Sequence, residues 1–445
     1  MGSGRRIALA AIVVIALLIR VALVLATDDY RPTYDAQAYA LHALALEAKG
    51  SYPSSILSAP GSPTGFRPPA YPYLLAGVWK VSGVSLGSAR LAGAVLGALT
   101  VLLLALVAGA VWDRRVALWA GAIAGVAPPL VLMSSPLLAE NLFTPVVLGG
   151  VLACLRFARS GRLRWAAVAG LLCGLAALTR SNGVFLVLPA ALAVWGSRRS
   201  GPRSGLVPVA VLMGCLVLSV APWAARNTAA FGHPTPLTTQ AGFSLAGIFN
   251  STAAADGPPQ AAPRTVQTLP EYRHLLYRSD LDEAEIESRV RGPALRFAAE
   301  HPLYVLEALR LNLLRTLESG GDSSFNVPWN SERDAVGGRE ALYRLGFWAL
   351  LIAALTTIVL RRPRRRLAEA PRWLWLMPTV LMLTTLVFAG NPRYRLAVDG
   401  FLVLVAAVGA AELLHPRAGS ERFPPPGLRR PAAASASSPN GRRAR

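Results

Sequence analysis

The chain has 445 residues, of which 53% are hydrophobic and only 16% charged, and its mean hydropathy is +0.43. A soluble chain of this size carries about a quarter charged residues, so a soluble enzyme, a disulfide-stapled secreted protein and a disordered protein are all excluded. A net charge of +21 raises a nucleic-acid partner, but the placement of that charge gives another account.

Apolar runs near the 20-residue length that crosses a bilayer predict an all-α polytopic membrane protein. About ten spans are read, near 7–26, 88–111, 116–133, 138–157, 165–179, 183–196, 206–224, 342–360, 373–389 and 396–414. The first run continues into a polar loop and reads as a span, not a cleaved leader. With the N-terminus inside, the inner segments hold 24 of the 45 basic residues and three of the 24 acids. The whole excess of +21 then lies on the inner face, and the rest of the chain sums to zero. That is the positive-inside bias, and it requires no nucleic acid. The expectation is a plasma-membrane protein with both termini cytoplasmic. Cys154, Cys173 and Cys215 sit inside apolar runs without metal-ligand spacing and read as small packing residues.

The first outer loop, 27–86, is rich in signals. From Tyr34 to Lys49 apolar residues recur at helical spacing (Ala38, Leu41, Ala45 and Ala48, with Leu44 and Leu46 alongside), which predicts an amphipathic helix at the membrane interface, ended by Gly50 as C-cap. A Pro/Ser/Gly-rich connector leads to Phe66-Arg67-Pro68-Pro69-Ala70-Tyr71-Pro72 and a second interfacial helix to about Val81. Asp35, at the head of the first of these helices, reads either as an N-cap or as a carboxylate facing a surface cavity. Glu140 heads the fourth span near hydrocarbon depth, where an ionisable group is costly and marks function. The structural alternative pairs it with Arg20 or Arg90.

A second outer segment, 225–341, lies between the seventh and eighth spans. Asp280 to Arg296 predicts a charged helix capped by Asp280, with i,i+4 pairs among Glu283, Glu287, Arg289 and Arg291. Gly242 to Asn250 and Ser319 to Asn330 read as loops over a cavity, and Gly257 to Pro263 as a mobile tip. The alternative is a plain solvated connector. Residues 415–445, rich in Pro, Ala, Ser and Arg, read as a disordered basic cytoplasmic tail.

Asp35-x-x-x-Tyr39, Gly50-x-Tyr52 and Arg67-Pro-Pro-x-Tyr71-Pro72 after the first span resemble the GT-C superfamily. More closely they resemble family 39 of bacterial membrane glycosyltransferases, which holds protein O-mannosyltransferases and lipid A aminoarabinose transferases. Ser135 to Phe143, Leu178-Thr179-Arg180-Ser181-Asn182, Pro222-Trp223-Ala224-Ala225-Arg226-Asn227 and Arg393-Tyr394-Arg395 extend the resemblance over residues 1–410. The resemblance implies a GT-C transmembrane domain over 1–414 that transfers a sugar from a polyprenyl-phosphate donor to an extracytoplasmic acceptor: a cell-wall glycan, a lipid or a protein. Asp35 followed by Ala36 departs from the mannosyltransferases' acidic pair, and Arg67 stands where the aminoarabinose enzymes have Lys, so sugar and acceptor stay open.

The residues suit that chemistry. A carboxylate on the acceptor hydroxyl serves as general base, with Asp35 the first candidate and Glu140 the second; a single displacement inverts the anomeric centre. Arginines suit the phosphate leaving group through their planar fork, with Arg67, Arg180, Arg226, Arg393 and Arg395 on the outer face. Tyr39, Tyr71 and Tyr394 can stack on a sugar or anchor at the interface. No metal site is predicted from spacing and no cofactor is assigned; a divalent cation held by Asp35 with Glu140 stays open. The alternative function is a lipid or sugar transporter or flippase, which would require polar groups at mid-membrane and paired broken helices. Arg20, Asp399 and the break at Pro128-Pro129 are its only deep signals. The orientation is tested by a reporter fused after residue 300: activity is expected only outside the cytoplasm, and activity inside would overturn the assignment.

Overall fold

The computed structural model describes residues 3–196, 205–255, 263–319, 338–388 and 390–414. Among these the chain is helical, with one isolated bridge between Ser54 and Pro63. In order the helices are α1 (Ser3–Leu25), α2 (Tyr34–Lys49), α3 (Ala70–Ser82), α4 (Leu86–Val111), α5 (Arg114–Val126), α6 (Pro128–Leu132), α7 (Glu140–Ser160) and α8 (Leu163–Thr179). They continue as α9 (Val187–Gly196), α10 (Leu206–Phe231), α11 (Gln240–Ile248), α12 (Ser251–Ala255), α13 (Glu283–Glu300) and α14 (Pro302–Thr316). The last four are α15 (Glu340–Val359), α16 (Arg361–Leu367), α17 (Arg372–Phe388) and α18 (Leu396–Leu413).

Six helices are long and apolar enough to cross a membrane: α1, α4, α7, α10, α15 and the run Pro392–Leu413. A seventh crossing is available if α16 and α17, bent by 93° to one another, form one span. The chain is a multi-pass membrane protein. Every run read as a span is helical, but α5, α8 and α9 are shorter than a full crossing. The seventh run continues to Phe231, and the third is broken between α5 and α6.

That break explains Arg20. The carbonyls of Ala124 and Gly125 would accept from the N–H groups four residues on, but those residues are Pro128 and Pro129, which have none. In an apolar interior an unpaired carbonyl is costly. Arg20, fully buried on α1, fills the gap: it donates to the carbonyls of Gly125 (3.1 Å), Ala124 (3.2 Å) and Leu130 (3.3 Å). The deep charge and the broken helix are one structural unit. Glu140 therefore has neither of its expected structural partners, because Arg90 is also engaged elsewhere, by Thr27 and by Ser135 Oγ at 2.6 Å.

Small residues set the helix spacing. A methyl group on Gly170 would sit 2.1 Å from the Leu212 carbonyl, and one on Gly174 would sit 2.5 Å from Ser219 Cβ. α8 and α10 are thus in backbone contact, as membrane helices favour.

α2 has the predicted bounds, and Gly50 ends it in a left-handed conformation with φ 66°. Its buried face differs from the expected stripe: Ala36, Tyr39, Ala40, Ala43 and Leu46 face the protein, and Leu41 is exposed. The apolar pattern alone cannot tell a lipid-facing stripe from a core-facing one. Beyond α10 the chain is no plain connector. Leu57 of the first loop joins Phe243, Ile248, Leu269, Tyr272, Ile286 and Val290 in a second hydrophobic core. Gly242 to Ile248, expected as loop, lies in α11. The cap of α13 is Asp282, not Asp280: it accepts from Glu285 N, and Glu285 answers in a capping box. Asp280 is instead exposed and bound by Arg278. Glu287 and Arg291 form the expected i,i+4 pair at 3.6 Å. The expected tip at Gly257 to Pro263, the loop from Ser319 to Asn330 and the tail at 415–445 lie almost wholly outside the described residues.

Arg20→Leu is expected to strand at least two buried carbonyls, at about 1–3 kcal/mol each, and to lower the thermal midpoint in detergent by several degrees. Arg20→Lys should recover part of the loss, and equal midpoints for all three proteins would overturn this account.

Candidate active site

Five segments bring charge to one point. Asp35 lies in the first turn of α2, just past Tyr34, whose φ is 44°. That left-handed φ is strained for a bulky residue. The Asp35 carboxylate does not cap the helix. One oxygen is bound by Arg67, which arrives from the Pro-rich stretch before α3, and the other by Arg393. Arg393 lies in a 3-10 turn, Pro392–Arg395, at the head of α18, where Asn391 caps its backbone N–H at 3.0 Å. Its Nε lies 3.6 Å from Glu140, which is bound in turn by Arg180 at the end of α8.

The result is an alternating row: Arg67, Asp35, Arg393, Glu140, Arg180. Three guanidinium groups meet two carboxylates, so one positive charge is left over within the row. Rings frame it. Arg180 and Arg393 lie 4.4 and 4.9 Å from the Tyr394 ring, and Arg67 lies 5.3 Å from Tyr39 and 5.1 Å from Phe66.

Burial pushes the Asp35 carboxyl group toward neutrality, but Arg67 and Arg393 outweigh it and hold the group well below the usual carboxylate range. Burial pushes the Tyr39 phenol up to about 12, so it stays a neutral hydroxyl. Asp35 is the more accessible acid: its side chain is 24% exposed, against 4% for Glu140.

The row opens on a cavity of about 700 Å³. Asp35, Tyr39, Arg67, Arg180 and Tyr394 line it. Glu140 and Arg393 stand directly behind them. Tyr71 is buried deeper, edge-on to Tyr39 at 5.3 Å. Two predicted arginines lie away from the row. Arg226 donates to the Thr64 carbonyl at 2.7 Å and stacks on Trp223 and Tyr52. Arg395 is 1% exposed, pairs with Glu318 at 3.0 Å and Asp399 at 3.2 Å, and lies against Phe347.

Sequence reasoning missed the opposite wall. It is built by the segment from His233 to Ala241, by Ala284, Glu287 and Arg291 of α13, and by Thr384 and Phe388 of α17. Ser181 meets Thr238 at 2.8 Å and Asn182 donates to Thr384 at 3.1 Å, which ties three parts of the wall together. The Leu178-to-Asn182 motif marked one side of these contacts; nothing local in the sequence marks the other. Among the described residues no three His, Cys, Asp or Glu side chains gather to hold a metal.

Residues 66–224 match the family model described as dolichyl-phosphate-mannose-protein mannosyltransferase. No curated protein sequence matches the chain. Among solved structures, the apo oligosaccharyltransferase of Archaeoglobus fulgidus overlays with a TM-score of 0.51 at 12% identity, over 90% of this chain and 50% of that one. The S. cerevisiae protein O-mannosyltransferase Pmt1-Pmt2 complex bound to the sugar donor gives 0.43 at 18%, over 55% of this chain and 36% of that one. ArnT from Cupriavidus metallidurans bound to undecaprenyl phosphate gives 0.44 at 14%, over 92% and 78%. The chain thus spans half or less of the oligosaccharyltransferase and mannosyltransferase chains. At these identities the likeness is one of fold, and in fold the chain resembles the GT-C membrane glycosyltransferases, as its first-loop motifs imply.

His42, one turn beyond Tyr39, offers a check on the packing around the row. Burial pushes its imidazole down to about 4, against an ordinary value near 6.5 in the unfolded chain. The unfolded chain therefore binds the extra proton between these values, and stability falls as pH is lowered through that window, by up to about 3 kcal/mol. Thermal midpoints at pH 7.5 and 5 should differ more for the natural chain than for His42→Gln, and equal acid sensitivity would overturn the burial account.

Proposed function

We propose that the chain is a membrane glycosyltransferase that moves a sugar from a polyprenyl-phosphate donor to an extracytoplasmic acceptor. The observation that supports this best is the convergence of Asp35, Arg67 and Arg180 at one cavity, with Arg393 bound to Asp35 behind them and a positive charge in excess within the row. The donor phosphate is an anion that gains charge as its bond to the sugar breaks, and preorganised guanidinium groups stabilise it most at that moment.

In this scheme Arg67, Arg180 and Arg393 hold the phosphate. The acceptor hydroxyl attacks the anomeric carbon, its proton passes to Asp35, and the bond from that carbon to the phosphate oxygen breaks, its electron pair leaving with the phosphate. Attack from the side opposite the phosphate inverts the centre. A carboxylate bound by two guanidinium groups is a poor base, so the phosphate has a second effect. By drawing Arg67 and Arg393 toward itself it frees an Asp35 oxygen and restores its basicity. Glu140, paired with Arg180, holds that arginine in place. Tyr39 and Tyr394 supply ring faces for the sugar. Tyr71 supports Tyr39 from behind.

The topology in this reading is ten passes with both termini cytoplasmic, the short helices completing spans in pairs or at a tilt. Support comes from which ends meet. Arg366 binds Asp113 at 2.6 Å and Glu369 at 2.8 Å and approaches Glu412 at 3.8 Å, joining two segments assigned to the inner face to the C-terminal end of the last span. The segments carrying Asp35, Glu140, Arg180 and Arg393 meet at the other end. The transporter reading loses its signals, because Arg20 and Asp399 are both engaged in local structure.

Purified protein given a series of radiolabelled polyprenyl-phosphate sugars and membrane extract tests the function; absence of transfer from every donor would overturn it. Asp35→Asn is expected to cut transfer by a factor of about 10²–10⁴ with membrane insertion intact. Normal turnover in that variant would remove Asp35 as the base.

A further inference from the structure

Glu283 is fully buried at the start of α13. Its carboxyl group accepts from Ser55 Oγ at 2.5 Å, Thr64 Oγ1 at 2.8 Å, Gly65 N at 2.9 Å and Thr239 Oγ1 at 2.6 Å. No cation lies within ion-pair distance of it among the described residues. A buried acid is normally matched by a cation; this one is matched by four neutral donors drawn from three separate stretches of chain. It caps nothing, because Asp282 and Glu285 already close the helix start.

The donors show what the group holds. Ser55, Thr64 and Gly65 belong to the connector of the first outer loop, whose two arms meet in the isolated bridge between Ser54 and Pro63. The Thr64–Gly65 peptide is gripped on both sides, by Glu283 through Thr64 Oγ1 and Gly65 N and by Arg226 through the Thr64 carbonyl at 2.7 Å. Space around it is closed: a methyl group on Gly65 would lie 3.1 Å from the Phe231 ring. Two residues on stands Arg67, whose guanidinium meets Asp35. On the other side of the grip, α13 lines the cavity with Ala284, Glu287, Ser288 and Arg291.

We infer that Glu283 is a positioning residue: it fixes the 64–65 turn to α13 and so sets where the Arg67 guanidinium stands against Asp35 and the donor phosphate. The inference rests on the proposed reading for its catalytic consequence, but not for its geometry. The large outer segment and the loop carrying the acid then move as one body, and the distance between acceptor wall and base is fixed by this contact.

The test has two arms. Amide hydrogen exchange at residues 64–67 needs no turnover: Glu283→Gln should raise it relative to Asp280→Asn, an exposed change on the same outer segment. Unchanged exchange would overturn the grip. The second arm is a double-mutant cycle on transfer from a polyprenyl-phosphate sugar. Glu283→Gln and Arg67→Lys are each expected to lower kcat/KM about tenfold, and the double variant to lie within about threefold of either single one, since residues acting through one shared position do not add. A loss near a hundredfold in the double variant would show independent effects and overturn the inference. A stability role alone would lower yield and melting temperature without that coupling. If Glu283→Gln does not fold, Thr64→Val and Ser55→Ala remove its donors singly and are put through the same cycle. Should the natural chain show no transfer at all, the proposed function fails, and the exchange arm still decides the grip.

Discussion

One end of this bundle is arranged around a row of five charges of alternating sign. Each member is drawn from a different part of the chain: the head of α2, the stretch before α3, the head of α7, the end of α8 and the turn before α18. Removing one partner of a buried charge pair typically costs about 3–5 kcal/mol. The row therefore does two things at once. It fixes four helix ends relative to one another, and it holds three guanidinium groups at spacings that their own flexible side chains would never keep in water.

The deep polar groups of the bundle obey the same rule in a different form. Arg20 serves carbonyls that two prolines leave without donors, and Asp399 serves Arg395 one turn earlier in the chain. Neither lines the cavity of about 700 Å³. Polar chemistry free to meet a ligand is gathered at one end, where Asp35 keeps 24% exposure of its side chain. This uneven distribution fits the proposed surface-acting enzyme, whereas a carrier's polar groups would have to meet the cargo halfway across.

Much of this was legible before any coordinates. Hydropathy placed the helical runs, and Gly50 fixed the end of α2 because only a residue tolerant of left-handed backbone stops a helix there so readily. The order of motifs named Asp35, Glu140, Arg67, Arg180 and Arg393. Other features carry no local signal. Arg393 and Arg395 sit two apart in a 3-10 turn, where successive side chains point about 120° apart, so they face different ways, and sequence gives no means of choosing between them. Arg226 lies toward the end of a helix, as Arg180 does, yet its direction is set by Thr64, far away in the chain. Glu283 looked like one more acid of a solvated helix. Its partners lie 44 to 228 residues away, and only folding of the first loop onto the large outer segment brings them together. In α2 the apolar pattern gave the helix but not its inward face, because lipid and protein core select the same residues.

The excess of guanidinium over carboxylate bears on the order of events in the proposed reaction. With the phosphate absent, Arg67 and Arg393 both spend their charge on Asp35, and the carboxylate is held far from the basicity that proton transfer needs. An acceptor or a water molecule arriving first meets an acid that cannot take its proton. A donor arriving first brings an anion that competes for the same two arginines, and the carboxylate is freed only as the phosphate is bound. The buried pair of Glu140 with Arg180 keeps one guanidinium group out of that exchange and in place throughout. On this reading the base becomes available only when there is a sugar to transfer, and the same charges that assemble the site also delay its chemistry until the donor is present.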